Sequence, residues 1–393
     1  MLSFDVDPFS LNIRHLRAAA AVTEAGSISA AARIVNLTQP AITQGIVKLE
    51  AQLGVPLFQR SPMGMAPTPA ACLLAPRVVA AVRLMDSRRA TAPQIRAFLA
   101  LARAGSYAGA AQQTGVSEPS LHRAVADLSL AIGHTLVERR GKGVGLTARG
   151  LAVARRFRLG EAELVSAMSE IASLKGREIG RITVGAMPLS RARLLPAAVT
   201  AFHARHPEIG IGVIEGSHAE LVGPLRDGEI DMMVGALRPL EADDGLAQTS
   251  LFEDRPVILA RVGHPLATRA GRMTAETMLA YPWITPAVGT PLRSQWEVMF
   301  QALGATPPPV SIECGAVIMI RQILLQSDFL TLLSPDQVAV ELEAGWLVKI
   351  ADAPGDVSRT IGITTRTDWR PTALQQRFLT VLDEQAATMR LAS

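Results

Sequence analysis

Apolar residues recur at helical spacing in two stretches of the first half of the chain. The first stretch contains Ile42, Ile46, Leu49 and Leu53, and the second, 79 positions later, contains Leu121, Val125, Leu128 and Ile132. Positions three or four residues apart lie on the same face of a helix. The pattern therefore predicts two amphipathic helices that bury matching stripes.

The same start signals precede both stripes. In order, the paired residues are Asn36 with Gly115, Thr38 with Ser117, and Pro40 with Pro119. Asn and Gly tolerate the left-handed backbone that ends a helix. A hydroxyl can cap the next helix, and a proline in its first turn forfeits no hydrogen bond. Each stretch is therefore predicted to be a helix, a tight turn and a capped helix.

A shift of 79 positions aligns the two stretches without a gap and extends beyond the helices. Gly54 and Gly133 are followed by short apolar segments and by the Gly-containing connections "SPMGMAPT" and "RGKGVGLT". These segments predict the two strands and the tip of a wing. The chain therefore contains two copies of a winged helix-turn-helix pattern.

The capped helix of copy one carries residues suited to reading DNA. Glutamine can bond adenine through two hydrogen bonds, and threonine offers a hydroxyl and a methyl group. Arg60, in the wing, is expected to hold a phosphate, which positions the protein without specifying sequence. The alternative is a helical bundle with a polar outer face. The candidates on the helix are Thr38, Gln39, Pro40, Thr43, Gln44 and Lys48.

Copy two has a different set of candidates. Glu118 replaces Gln39 and would repel phosphates, although glutamate can accept a hydrogen bond from cytosine. Residues 95–150 nevertheless hold seven basic against three acidic residues. DNA contact and a dimerising or spacing role both remain open for this copy. The candidates are Ser117, Ser120, His122 and Arg123 on the helix, and Arg139, Arg140 and Lys142 in the wing.

The segment "GSISAAARIVNLTQPAITQGIVKLEAQLGVPLFQR", Gly26 to Arg60, resembles the winged helix-turn-helix of LysR-type transcriptional regulators. The resemblance implies a bacterial DNA-binding regulator with a dimerising linker helix and a two-lobed effector domain similar to a type 2 periplasmic binding protein. Ordinary members carry one winged helix, and this chain carries two. The predicted fold class is therefore α+β multidomain, with two winged units, a linker helix and a two-lobed α/β domain.

The domain boundaries follow from these patterns. A helical stretch with apolar positions from Leu151 to Leu174 and no proline indicates a linker helix and a dimer seam. A shorter helical stretch containing Pro76 connects the two copies. The predicted domains are 11–69 and 91–147 for the winged units, 70–90 for the connecting helix, 148–176 for the linker and 180–393 for the effector domain.

Charge divides the chain in the same way. Residues 1–175 have a net charge of +9, and residues 176–393 have a net charge of −5. A basic half joined to an acidic half indicates nucleic acid as the partner of one end only. The chain has two cysteines, Cys72 and Cys314, which are far apart in the sequence. A disulfide framework or a zinc site is therefore not expected, and this cysteine usage fits a cytoplasmic location. No apolar run is long enough to predict a membrane span.

Short apolar strands alternate with helices after Arg181, which predicts parallel α/β units. The chain is expected to leave one sheet and return to it, with lobe one at 180–263 and 346–393 and lobe two at 264–345. Such lobes enclose a cleft for a small molecule. Ser190 is expected at the start of a helix, where backbone donors favour an anion.

Further cleft residues follow partly from the resemblance, which implies that "GSH", "VGA" and "TPAVGT" face the ligand. Arginines at 191, 193, 238 and 293 could pair a carboxylate. The predicted effector-binding residues are Leu189, Ser190, Arg191, Ser217, His218, Gly235, Thr285 and Thr290.

The sequence contains none of the nucleophile or metal motifs GxSxG, HExxH or a phosphate-binding glycine loop, so an enzyme is not expected. No cofactor or metal is predicted. The expected function is transcription regulation by a homodimer or homotetramer that binds promoter DNA, a small organic effector and, as a further partner, RNA polymerase. The rival interpretation is a cytoplasmic solute-binding protein whose helical half only contacts proteins.

Overall fold

The computed structural model describes residues 8–61, 64–85, 90–141, 143–268 and 273–392. Apart from short loops, the chain divides into a first unit that ends at Arg181 and a second that begins at Ile182. Among the described residues, no helix has both the length and the apolar character needed to cross a membrane.

The first unit holds the two winged copies, each followed by a longer helix. Copy one comprises α1 (Ile13–Ala25), α2 (Ile28–Val35), α3 (Gln39–Leu53), β1 (Phe58–Ser61) and β2 (Gly64–Pro67), and α4 (Pro69–Met85) follows it. Copy two comprises α5 (Ala92–Ala104), α6 (Tyr107–Thr114), α7 (Glu118–Ile132), β3 (Val137–Arg140) and β4 (Gly143–Leu146), and α8 (Ala148–Leu174) follows it. Each wing is an antiparallel hairpin.

The start signals of α3 and α7 are largely as predicted. Asn36 and Gly115 end the preceding helices with φ of 54° and 70°. The Thr38 hydroxyl accepts a hydrogen bond from the amide of Ala41 at 3.4 Å. The expected side-chain cap by Ser117 is wrong, because its hydroxyl lies 2.9 Å from that of Ser120 instead.

The predicted dimer seam on the linker helix is occupied within the chain. α8 packs along α4, and Phe157, Leu164 and Ile171 are buried in a core that both winged copies share. A second chain cannot reach these side chains, so the prediction of an intermolecular seam is wrong for them. Of the leucines in the same apolar pattern, Leu151 is 57% exposed and Leu174 is 50% exposed.

Each lobe of the second unit contains a five-stranded sheet. Lobe one holds β5 (Arg181–Ala186), β6 (Gly210–Glu215), β7 (Met232–Ala236), β8 (Leu246–Asp254) and β14 (Arg359–Arg366), in the order β6-β5-β7-β14-β8. Lobe two holds β9 (Val257–Arg261), β10 (Trp283–Thr285), β11 (Ile312–Glu313), β12 (Leu330–Leu333) and β13 (Leu347–Asp352), in the order β11-β10-β12-β9-β13.

Helices flank these strands in both lobes. Lobe one carries α9 (Leu194–Arg205), α10 (His218–Arg226) and α15 (Ala373–Ala392). Lobe two carries α11 (Ala275–Leu279), α12 (Pro291–Ala302), α13 (Val317–Leu325) and α14 (Ala339–Glu343). In lobe two, Trp283, Trp296 and Phe300 pack edge to face at centroid distances of 5.1–5.9 Å and fill the core.

The predicted parallel units are present but do not make up whole sheets. β5 pairs in parallel with β7, and β10 pairs in parallel with β11 and β12. Both sheets are mixed, because β14 runs antiparallel to β7 and β8, and β9 runs antiparallel to β12 and β13. The predicted boundaries of the lobes are wrong. β9 and β13 belong to lobe two, so the chain crosses between Asp254 and Val257 and returns between Asp352 and Arg359. The apolar run of β9 is buried against β12, which is why it joins that sheet.

Candidate DNA-binding surface and effector cavity

α3 separates a buried face from an exposed polar face. Ile42, Ile46 and Leu49 are at most 3% exposed. The Thr43 hydroxyl donates to the carbonyl oxygen of Gln39 at 3.1 Å. The predicted DNA-contacting residues on this helix and its cap are all exposed: Thr38, Gln39, Pro40, Thr43, Gln44 and Lys48. The helix therefore presents its first turns to solvent as a polar surface.

The wing of copy one is held against α3 by a carboxylate. Glu50 accepts hydrogen bonds from the amides of Leu57 and Phe58, at 2.7 and 3.2 Å. Ser129 takes the place of Glu50 in copy two and donates to Val125 within its own helix. The backbone of Arg60 lies in β1, and its side chain lies outside the described part of the structure.

The candidates of copy two are also exposed, but several already have neighbours. The His122 ring stacks on Tyr107 with centroids 3.4 Å apart. Arg140 pairs with Glu138 at 2.9 Å. Ser117 and Ser120 contact each other, whereas Arg123 and Arg139 are exposed without an ion pair among the described residues. Lys142 lies outside the described residues.

A cavity of about 260 Å³ lies between the lobes of the second unit. Its wall is mostly apolar, with Met187, Pro188 and Leu189 from lobe one and Pro286, Ala287 and Leu292 from lobe two. Of the predicted effector residues, four line it: Leu189, Ser217, His218 and Thr290. A cavity of this size and character fits a small organic molecule.

Two polar groups of lobe one give the cavity its electrostatic character. Arg238 lines the wall and has no acidic partner among the described residues. Burial lowers the pKa of His218, and the charges of Arg238 and Arg226 lower it further, while Asp244 acts in the opposite direction. Its buried Nε2 has no hydrogen-bond partner within the described structure. A ligand that reaches this corner therefore meets a buried imidazole and a guanidinium that has no acidic partner within the described ranges.

Four predicted effector residues do not line this cavity. Ser190 is fully buried in a single 3₁₀ turn, where its hydroxyl donates to the carbonyl oxygen of Met187 at 2.9 Å. It does not begin the following helix, since α9 starts at Leu194, so the predicted position of Ser190 at a helix start is wrong. Arg191 pairs with Glu215 and lines a neighbouring groove instead.

Gly235 and Thr285 also serve structural roles. A side chain at Gly235 would lie 2.5 Å from Cβ of Met187, so the glycine lets the Met187 loop lie against β7. Thr285 is buried and accepts a hydrogen bond from Arg293 at 2.8 Å. The sequence did not single out Cys314, Gln337 and Arg359 as cavity residues. No local signal marks them, because they come from distant segments of both lobes.

The chain matches the family described as "Bacterial regulatory helix-turn-helix protein, lysR family" twice, at residues 13–72 and 93–151. It matches the family described as "LysR substrate binding domain" at residues 175–387. Both winged copies are therefore recognised, and the effector domain spans more than half of the chain.

Two relatives resemble the chain over most of its length. The HTH-type transcriptional regulator GalR of Pseudomonas putida is 32% identical over 371 residues, which cover 91% of this chain and 92% of that protein. The SDS degradation transcriptional activation protein of a Pseudomonas species is 34% identical over 303 residues, which cover 75% of this chain and 96% of that protein.

Solved structures share the fold. ArgP from Mycobacterium tuberculosis aligns with a TM-score of 0.59 at 18% identity, over 75% of this chain and 97% of that one. A full-length OxyR variant from Pseudomonas aeruginosa aligns with a TM-score of 0.56 at 22% identity, over 75% and 93%. The family matches and relatives together show that the chain is a regulator and not an enzyme, and that it belongs to the LysR family of DNA-binding transcriptional regulators, which small-molecule effectors control.

Proposed function

We propose that the chain binds promoter DNA by inserting the first turns of α3 into the major groove. The observation that carries this proposal is the exposed row of polar side chains at the start of α3, above a fully buried apolar stripe. Recognition helices contact base edges with their N-terminal residues. Gln39 and Gln44 have the donor and acceptor pair that matches adenine, and Lys48 offers a cation to the phosphates.

Copy two contributes to the same function in this proposal. Arg123 and Arg139 are exposed and basic, and the first suits guanine while the second suits a phosphate. His122, held by Tyr107, presents its ring edge from a fixed position. The remaining candidates, Arg60 and Lys142, are assigned to phosphate contact from their place in the wings.

We further propose that the effector carries a carboxylate that pairs with Arg238. Three other arginines predicted for this role already have partners: Arg191 with Glu215, Arg193 with Asp336, and Arg293 with Glu297. Arg238 faces the cavity without such a partner among the described residues, and a planar guanidinium binds a carboxylate through two parallel hydrogen bonds. The apolar remainder of the wall suits the hydrocarbon part of such an acid.

The assembly and setting belong to the proposal as well. We assign the chain to the cytoplasm, where promoter DNA lies, as a homodimer or homotetramer that contacts RNA polymerase at its promoters. The change on effector binding is a shift between two quaternary arrangements, of which the ligand favours one.

The DNA assignment is tested with the double variant Gln39→Ala/Thr43→Ala on a duplex selected by the full chain from a randomised library. We expect the Kd to rise by about a hundredfold, because each good base contact contributes about 1–3 kcal/mol. Wild-type affinity should also fall steeply with salt, since phosphate contacts release counterions.

A matched control is available on α15. Gln376 and Thr380 are exposed, and the Thr380 hydroxyl donates to the carbonyl oxygen of Gln376 at 3.1 Å, the same contact that Thr43 makes with Gln39. Gln376→Ala/Thr380→Ala should leave the Kd unchanged. Equal Kd values for the α3 variant and wild type would remove α3 as the reader.

A further inference from the structure

The two winged copies keep one register throughout. Each of α1, α2 and α3 begins and ends 79 residues before α5, α6 and α7, and the strands of the wings share that offset. The connection to the next helix repeats too. Thr68 Oγ1 donates to the carbonyl oxygen of Pro56, and Thr147 Oγ1 to that of Thr135, at 2.8 Å in both cases. Each copy is therefore joined in the same way to the helix that follows it.

Those two following helices, α4 and α8, run antiparallel. Arg77 pairs with Glu163 at 3.3 Å and with Glu170 at 2.8 Å. Later in α4, Ala81 and Met85 lie against Gly160, which comes earlier in α8. Because contacts move back along α8 as they move forward along α4, the helices point in opposite directions.

This arrangement relates the two copies by an approximate half-turn. Any rotation that reverses the direction of a helix is a half-turn about an axis perpendicular to it. Ala81 and Gly160 occupy equivalent positions, 79 residues apart, and they meet where the helices cross: a Cβ on Gly160 would lie 3.2 Å from the carbonyl oxygen of Ala81. The axis therefore passes close to this crossing.

The paired copies form one packed body. A single core of buried side chains extends over α1, α3, α4, α5, α7 and α8. Phe98 of α5 contacts Phe157 of α8 edge to face, with centroids 6.2 Å apart. Arg77 is only 5% exposed at the centre of the helix pair. The relation between the copies is therefore fixed by burial within one chain and requires no second chain.

We propose that a single chain reads two half-sites in inverted orientation, one with α3 and one with α7. The proposal rests on the proposed DNA-binding function. A DNA duplex has two-fold axes perpendicular to its length, so two recognition helices related by a half-turn meet equivalent grooves in opposite directions. Regulators with one winged helix per chain need two chains to present such a pair. Here the duplication supplies both members.

The two half-sites differ in sequence under this proposal. The residues Gln39, Thr43, Gln44 and Lys48 of copy one correspond to Glu118, His122, Arg123 and Asp127 of copy two. Glutamine favours adenine, whereas arginine favours guanine and glutamate accepts from cytosine. Asp127 stands where Lys48 would attract a phosphate. The α7 half-site should therefore be richer in G·C pairs and should bind more weakly.

The test combines footprinting with a count of the chains bound to a DNA duplex, which the wild-type chain first selects from a randomised library. Protected major-groove segments are mapped for wild type, for Gln39→Ala/Thr43→Ala, for His122→Ala/Arg123→Ala and for Arg123→Gln, which leaves the Tyr107 stack intact. Arg156→Ala, an exposed charge on α8 outside both winged units, serves as the charge-matched control. The mass of the complex gives the number of bound chains.

We expect two protected segments per bound chain, with unlike sequences in inverted orientation. The α3 variant should lose one segment, and the two α7 variants should lose or weaken the other by about tenfold or more. One protected segment per chain, unchanged in both α7 variants, would overturn the inference while leaving DNA recognition by α3 intact. Absence of salt-dependent DNA binding by wild type would overturn the proposed function itself.

Discussion

At the scale of single residues, the carboxylate proposal depends on Arg238, which lines the interlobe cavity and has no acidic partner in the described part of the chain. Burial lowers the pKa of the neighbouring His218 imidazole, which therefore favours its neutral form, and Arg238 supplies the positive charge at this corner of the cavity. We predict that Arg238→Gln weakens the binding of the tightest carboxylate in a panel of small acids, benzoate included, by about 10- to 100-fold. Hydrogen bonds to charged groups contribute about 1.5–3 kcal/mol. Titration calorimetry on the full chain measures the change.

The control compares charge with shape. The uncharged amide of the same acid should bind wild type and Arg238→Gln equally, because it has no charge to pair. Arg191→Gln should bind the acid as wild type does, since Arg191 is paired with Glu215 and does not line this cavity. An equal loss for the acid and its amide would show that Arg238 acts through the shape of the wall, and the carboxylate proposal would fail.

At the scale of elements, the buried ion pairs of Arg77 hold α4 against α8. Burial alone would lower the pKa of Arg77, but Glu170 and Glu163 together raise it. We predict that Arg77→Met lowers the unfolding free energy of the first unit by about 3 kcal/mol, because it leaves the carboxylates largely buried without this partner. Adding Glu170→Gln should restore part of the loss. Guanidinium unfolding followed by far-ultraviolet circular dichroism reports mainly on the helices.

The chain itself offers two controls for this measurement. Arg156 is the counterpart of Arg77 in the repeat and is exposed, so Arg156→Met should change stability by less than about 0.5 kcal/mol. All four tryptophans, at 283, 296, 346 and 369, lie in the second unit. Tryptophan fluorescence should therefore give the same transition in every variant. A shift of that transition, with circular dichroism unchanged, would contradict the assignment.

The same elements show what the sequence could predict. Stripe, cap and turn residues are local, so they predicted α3 and α7 together with their exposed faces. The stripe on α8 predicts that one face is buried but does not say what covers it, and no sequence pattern marks α4 as the helix that packs there. In the second unit, β8 alternates buried and exposed residues irregularly, so neither an apolar run nor a regular alternation predicts it. The cavity needs segments from both lobes, so only half of the effector residues predicted from the sequence line it.

At the scale of the whole molecule, the end of α8 connects the winged helix-turn-helix unit to the effector domain. Gly176 follows α8, and β5 of the effector domain begins at Arg181. Lys175 donates a hydrogen bond to the carbonyl oxygen of Leu53, the last residue of α3. A cation at this position also interacts favourably with the negative end of the helix dipole. The residue that leads into the effector domain therefore also supports the C-terminal end of α3.

This contact predicts where effector and DNA are coupled. Lys175→Met should reduce the ratio of DNA Kd values measured with and without a saturating carboxylate, from the roughly 5- to 150-fold typical of such coupling towards one. Reciprocity requires the carboxylate affinity, measured with and without DNA, to change by the same factor. Lys349→Met, which removes an exposed lysine paired with Asp352 in lobe two, should keep the full ratio. If Lys175→Met also keeps the full ratio of DNA Kd values, the coupling does not pass through α3. The effector must then act on the arrangement of whole chains instead.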